Sequence, residues 1–246
     1  MKGNIVLVHG YRGSPAGLAE IGERLEKAGY KVFLPSIPPF GGSGPLESYT
    51  RDSYADFIAR YLGENKISKP VLVGHSMGSL IVAVTAEKYP ELLDNKLIFL
   101  APISVKPPRP IAILNPLATA FPRGVVDVTT TAFNMVPNGL ETTKKTMRLT
   151  REASKQFTSK SDVKLAGIFS IDHAISDFNF NKNTLFLAGA KDHLISRKKT
   201  EALAAELSKK MPTKTAFVSG TGHLLNYEKP LETAAEITKF LESDII

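Results

Sequence analysis

Apolar runs of strand length alternate with stretches of helical period along this chain. The strand-like runs are Ile5–Val8, Lys31–Leu34, Pro70–Val73, Lys96–Leu100, Thr184–Ala188 and Thr215–Val218, short and rich in β-branched or aromatic residues. Between the first two, Ser14 stands as a helix N-cap, Pro15 at the first helical position and Gly29 after the last turn. Thr50–Leu62 carries Tyr54, Phe57, Ile58 and Tyr61 at helical spacing. Ser79–Tyr89 has helical length and stops at Pro90, and Leu194–Met211 and Pro230–Leu241 supply two further helices. Strand and helix in strict alternation predict an α/β fold: a parallel sheet with helices on both faces.

One stretch departs from the alternation. About eighty residues separate the strand ending near Ala101-Pro102 from the next at Thr184, far beyond a normal crossover. It opens with Pro102, Pro107, Pro108, Pro110, Pro116 and Pro122, holds apolar clusters at 111–114, 117–121 and 133–136, and continues as a basic helical segment from Leu140 to about Phe157. Residues 103–182 therefore read as a mostly helical cap inserted into a core domain made of 1–102 and 183–246. The cluster Gly41-Gly42-Ser43-Gly44 lacks the Lys-Ser/Thr of a phosphate loop and reads as a turn after the second strand.

The chemistry starts at Gly74-His75-Ser76-Met77-Gly78, between the strand Pro70–Val73 and the helix that follows. A serine flanked by glycines at a sharp strand-to-helix turn is a nucleophile elbow. The turn forces the serine into a strained backbone that a neighbouring side chain would block. It also lifts the hydroxyl to a helix N-terminus, where backbone N–H groups receive developing negative charge. A serine hydroxyl needs a base, and the base needs a carboxylate to fix its tautomer. Asp192 follows the strand 184–188 in Gly189-Ala190-Lys191-Asp192, and His223 follows the strand 215–218 in Ser219-Gly220-Thr221-Gly222-His223. Both lie just past the carboxyl ends of parallel strands, where open α/β sheets place ligands, and the glycines suggest a flexible loop for the histidine.

The chain has five histidines. His9 ends the first strand and His75 lies inside the elbow; both read as structural residues or pocket neighbours. His193 follows Asp192 and points away from it. His173 sits at the cap exit, where it is a candidate for lining a substrate pocket. His223 alone combines position, loop and order, and Asp172 and Asp177 precede their strand where Asp192 follows it. For the oxyanion, the backbone N–H of Met77 and that of Tyr11, in His9-Gly10-Tyr11-Arg12-Gly13, are the natural donors.

Composition narrows the classes. A chain of 246 residues, 43% hydrophobic and 22% charged, can bury a sizeable core. The absence of cysteine excludes disulfides, thiolate catalysis and cysteine metal sites. No apolar run is long enough to cross a bilayer, and Met1-Lys2-Gly3 leads straight into a strand rather than a signal-peptide core, so a cytoplasmic location and no membrane insertion are expected. Of the net charge of +7, the stretch 103–182 carries most, with eleven Lys or Arg against six Asp or Glu. Those charges are spaced along a helix rather than interleaved with aromatics, the pattern of a solvated face and not of a nucleic-acid surface.

Val8-His9-Gly10, Gly74-His75-Ser76-Met77-Gly78, Gly189-Ala190-Lys191-Asp192 and Gly220-Thr221-Gly222-His223 together resemble the α/β-hydrolase superfamily, and the elbow with an early His-Gly is similar to bacterial carboxylesterases and monoacylglycerol lipase-like members. The resemblance implies a Ser76–His223–Asp192 triad and a Tyr11/Met77 oxyanion hole; the leading expectation is cleavage of a small carboxylic ester without metal or organic cofactor, and the apolar stretches at 111–121 and 133–136 suggest an apolar acyl part. The same triad serves thioester, amide and carbon–carbon cleavage, and a low-turnover binding protein can keep the fold. Two departures stand out. Only four residues precede the His-Gly strand's core, so a reduced, six-stranded parallel sheet is expected. Ser79 stands where glycine is frequent, which crowds the helix start.

Overall fold

The computed structural model describes residues 1–11, 13–103 and 175–243. Residues 104–174, which hold nearly all of the expected cap with its basic segment, Asp172 and His173, lie outside them. Six strands form one sheet: β1 (Asn4–Val8), β2 (Lys31–Phe33), β3 (Val71–His75), β4 (Lys96–Leu100), β5 (Asn183–Gly189) and β6 (Thr213–Val218). All neighbours are parallel, in the order β2-β1-β3-β4-β5-β6. The expected reduced sheet is the one observed.

Side-chain alternation along each strand divides the core in two. Val6, Val8, Leu72, Leu97, Phe99 and Phe186 face α2 (Arg51–Glu64), α3 (Met77–Lys88) and α4 (Arg197–Leu207). Ile5, Leu7, Val71, Val73, Ile98, Leu100, Leu185 and Leu187 face α1 (Ala19–Lys27) and α6 (Pro230–Leu241). Helix α3 is buried from Met77 to Ala86 on all sides, as its apolar sequence requires. Ile175, Phe178 and Phe180, at the edge of the expected cap, pack into the first of these layers, with Phe180 5.9 Å from Phe99 between ring centroids.

Local chemistry moves several element boundaries. Thr50 caps α2 as expected of that position, its hydroxyl accepting from the Ser53 N–H at 3.1 Å. Ser14 makes no such side-chain bond. It precedes a 3-10 turn, Pro15–Gly17, and α1 proper starts only at Ala19. That turn is held from outside: Asn226 donates to the Gly17 carbonyl at 2.8 Å, and the Tyr227 hydroxyl lies 2.3 Å from where a Cβ on Gly17 would stand. Helix α4 begins at Arg197 rather than Leu194, because Asp192 takes the N–H groups of Leu194 and Ile195 into a turn, both at 2.8 Å. A four-residue helix, α5 (Leu225–Glu228), follows His223 and was not apparent from the periodicity.

The order of the strands reverses between β1 and β3: the chain goes from β1 outward to β2, then returns to β3 on the other side. The loops after β1 and β3 flank this switch point, the crevice where such sheets bind ligands.

Candidate active site

The elbow is built from backbone against backbone. Ser76 sits between β3 and α3 at φ 53°, ψ −118°, a conformation rare for any residue but glycine. A Cβ on Gly74 would stand 2.4 Å from the Gly78 carbonyl oxygen, and one on Gly78 would stand 2.3 Å from that of Val8. No side chain fits at either position, which is why the turn needs both glycines. The Ser76 N–H donates to Leu100 at the end of β4 (2.9 Å), tying the strained residue to the next strand. Ser79 does not crowd the helix start. It is fully buried, and its hydroxyl donates to the Gly74 carbonyl at 2.7 Å, bracing the turn across its base.

His223 lies between the other two polar groups. Its Nε2 is 2.9 Å from Ser76 Oγ and its Nδ1 is 3.0 Å from Asp192 Oδ2. All three residues are no more than 7% exposed. The second carboxylate oxygen, Oδ1, accepts from the N–H groups of Leu194 and Ile195. With Asp192 accepting at Nδ1–H, the Nε2 lone pair of His223 faces the serine hydroxyl, the arrangement a general base needs.

The loop carrying His223 is tied down rather than loose. Lys191 N–H donates to the Thr221 carbonyl (2.8 Å), and the buried Thr221 hydroxyl donates to Val218 (2.9 Å). Gly222 N–H donates to both carboxylate oxygens of Glu228, at 3.1 Å each. His75 Nε2–H donates to the His223 carbonyl at 3.0 Å. Across the gap, a Cβ on Gly189 would stand 2.1 Å from the Gly222 oxygen, so β5 and the histidine loop touch along their backbones.

The loop after β1 meets the elbow at Gly10, where an added Cβ would lie 3.0 Å from Ser76 Cβ. Tyr11 is the next residue, its ring edge-on to Phe40 at 5.3 Å, and Gly13 N–H closes the turn onto the Gly10 carbonyl at 3.0 Å. Met77, as the first residue of α3, presents an N–H with no partner inside the helix. His9 links this loop to the one after β2. Its Nδ1–H donates to Gly10 at 2.9 Å and its Nε2 accepts from Ile37 at 3.0 Å.

Both of these buried histidines are neutral. Burial pushes His9 down to about 4. Burial, then the proximity of His223, pushes His75 down to about 3. Both ring nitrogens of His9 and Nε2 of His75 are engaged with backbone groups, and the third expected pocket residue, His173, lies outside the described residues. Glu228 and the short helix carrying it had no signal in the sequence, because nothing in the spacing of a carboxylate five residues after a histidine marks a bond to the loop before it.

A sequence model of the α/β hydrolase fold family matches residues 3–124. Over 95 residues the chain is 30% identical to the sn-1-specific diacylglycerol lipase ABHD11 of Danio rerio, a match spanning 38% of this chain and 30% of that protein. An esterase from Exiguobacterium antarcticum superposes with a TM-score of 0.85 at 16% identity, covering 98% of this chain and 92% of its own. A bromoperoxidase from Bacillus anthracis superposes with a TM-score of 0.81 at 21% identity, over the same shares of the two chains. At those identities the two structures speak for the fold. Among the described residues no helix is long and apolar enough to cross a membrane. Elbow, strand order and family match agree: the chain has the α/β-hydrolase fold.

Proposed function

We propose that this protein is a serine hydrolase that cleaves a small carboxylic ester with an apolar acyl part. The observation that carries the proposal is the unbroken hydrogen-bonded line from Ser76 Oγ through His223 to Asp192 Oδ2, with links of 2.9 and 3.0 Å. In this reading Ser76 Oγ attacks the ester carbonyl as Nε2 of His223 takes its proton. Asp192 keeps His223 in the Nδ1–H tautomer and steadies the imidazolium that forms. The N–H groups of Met77 and Tyr11 receive the oxyanion. Collapse expels the alcohol, which leaves with the proton from His223. A water molecule then gives its proton to His223 and attacks the acyl-enzyme, releasing the acid and restoring Ser76. His9 and His75 serve this site by holding its loops.

The esterase and lipase names among the similar proteins favour an ester over a thioester, amide or carbon–carbon bond. A fluorophosphonate probe tests the proposal. Folded wild-type protein should label and Ser76→Ala should not, and His223→Ala should lose labelling and ester turnover by about a thousandfold or more while keeping its fold. Absence of labelling in folded wild type would overturn the reading. Turnover of thioesters or amides in preference to esters of matched acyl length would move the substrate class.

A further inference from the structure

Glu228 is a half-buried carboxylate that the proposed chemistry does not use, and it faces the residue the chemistry depends on most. It ends α5, the short helix after His223, and turns back to receive the Gly222 N–H on both oxygens at 3.1 Å. Gly222 is the residue before His223, so the carboxylate holds the backbone from which the imidazole projects. Three of the loop's other ties bind the backbone from outside: Thr221 to Val218, Lys191 to Thr221, and His75 to the His223 carbonyl. Of these backbone ties among the described residues, the one to Glu228 brings a full charge.

Resting on the triad reading, we propose that Glu228 is a positioning residue for His223: its carboxylate clamps the Gly222 N–H beside it, and its charge steadies the imidazolium formed during the reaction. The charged and titratable groups around His223 make the sense of this charge plain. Asp192 accepts at Nδ1, Ser76 stands at Nε2, and His75, 5.4 Å away between ring centroids, is kept neutral by its burial. Lys229, the residue after Glu228, reaches over Gly220, its Nζ 3.8 Å from the Cβ position there. Burial first, and Asp192 as well, push the Glu228 carboxyl up; the Gly222 N–H and the field of His223 pull it back. Two carboxylates, one in direct contact and one behind the loop, share the imidazolium.

A clamp that is merely structural would affect stability and leave the histidine's titration alone, which separates the two roles. The His223 titration is read by NMR in substrate-free protein, its signal assigned by its absence in His223→Gln, and compared with Glu228→Gln. Removing the negative charge should lower the His223 midpoint. The acid limb of kcat/KM should move to lower pH by the same amount, while kcat on the limb's plateau falls about tenfold with KM little changed. A His223 midpoint unmoved by Glu228→Gln overturns the proposal, whatever happens to stability. If Glu228→Gln does not fold, Glu228→Asp serves: it keeps the charge but withdraws it by one methylene, so kcat should fall several-fold, and an unchanged kcat overturns the clamp. The NMR titration needs no turnover, so failure of the ester reading, seen as unlabelled wild type, is distinguishable from failure of this one.

Discussion

At the elbow Ser76 is held by backbone pressed on backbone, with Gly74 against Gly78 and Gly78 against Val8 at distances that admit no side chain. On the other side of the site His223 is held by hydrogen bonds from residues scattered through the fold: Asp192, His75, Glu228, Thr221 and Lys191. The first kind of restraint is steric and local, and it fails all at once when an atom is added. The second is distributed, so the loss of one bond leaves the others in place. Gly189 is the point where the steric mode crosses over, its Cβ position 2.1 Å from Gly222. The proposed nucleophile must emerge at one fixed point, which suits the first mode. The proposed base must exchange protons with two partners in turn, which suits the second.

The sharpest way to break this comparison is to add one methyl group to the elbow. In Gly78→Ala the new Cβ would have to occupy a position 2.3 Å from the Val8 carbonyl, and the atom in the way belongs to a central strand that cannot swing aside. The expected outcome is a loss of fluorophosphonate labelling of about a hundredfold or more, with a destabilisation of about 2–4 kcal/mol in urea titrations. Near-normal labelling would show that the elbow relaxes, and the contrast with the histidine loop would fall.

That asymmetry also decides what could be read from residue order alone. Steric restraint leaves glycines at fixed offsets, so Ser76 and its turn were legible, and so were the six strands, whose apolar runs coincide with the sheet to within about two residues at their ends. Asp192 and His223 stood out as candidates because each follows a strand, and the structure brings both to Ser76. What holds them was not legible. The bond from His75 to the His223 carbonyl spans 148 positions, and the bond from Asn226 to Gly17 spans 209, which no periodicity reports. The expectation of a loose histidine loop came from counting its glycines; Gly220 serves a left-handed backbone, φ 74°, and bonds along the loop tie it down. The start of α4 was misplaced for a related reason, since Asp192 spends one oxygen on a turn that displaces the helix start to Arg197.

A second prediction concerns a single hydrogen bond whose donor titrates. His75 is buried and pushed down to about 3, while in the unfolded chain it titrates near its ordinary value of about 6.5. Below pH 6.5 the unfolded state binds a proton that the folded state refuses. Its contribution is fully present above that pH and is lost progressively as pH falls toward about 3. Between pH 7.5 and pH 5.0 the loss amounts to about 2 kcal/mol from this residue. In His75→Gln the amide can still donate to the His223 carbonyl and does not titrate. Urea unfolding at the two pH values should show the wild-type gap narrowed by about 2 kcal/mol in the variant. An unchanged gap would mean that His75 is charged in the folded protein, and the bond to His223 would need another account.

The smallest effect is the one that defines the distributed mode. Thr221 is fully buried, and its hydroxyl donates to the Val218 carbonyl at 2.9 Å. Valine has nearly the same shape without the donor. In Thr221→Val the Val218 oxygen is not orphaned, because the Ala190 N–H still reaches it at 3.0 Å. The cost should therefore sit at the low end for a lost hydrogen bond, about 0.5–1 kcal/mol, read as a fall in Tm of roughly 1–4 °C. The Thr221 carbonyl keeps its bond from Lys191, and Gly222 keeps its bond to Glu228, so His223 stays where it is and kcat should change by no more than about threefold. A tenfold or larger loss of kcat at unchanged stability would mean that this one hydroxyl sets the position of the base. The histidine side would then be as singly determined as the elbow.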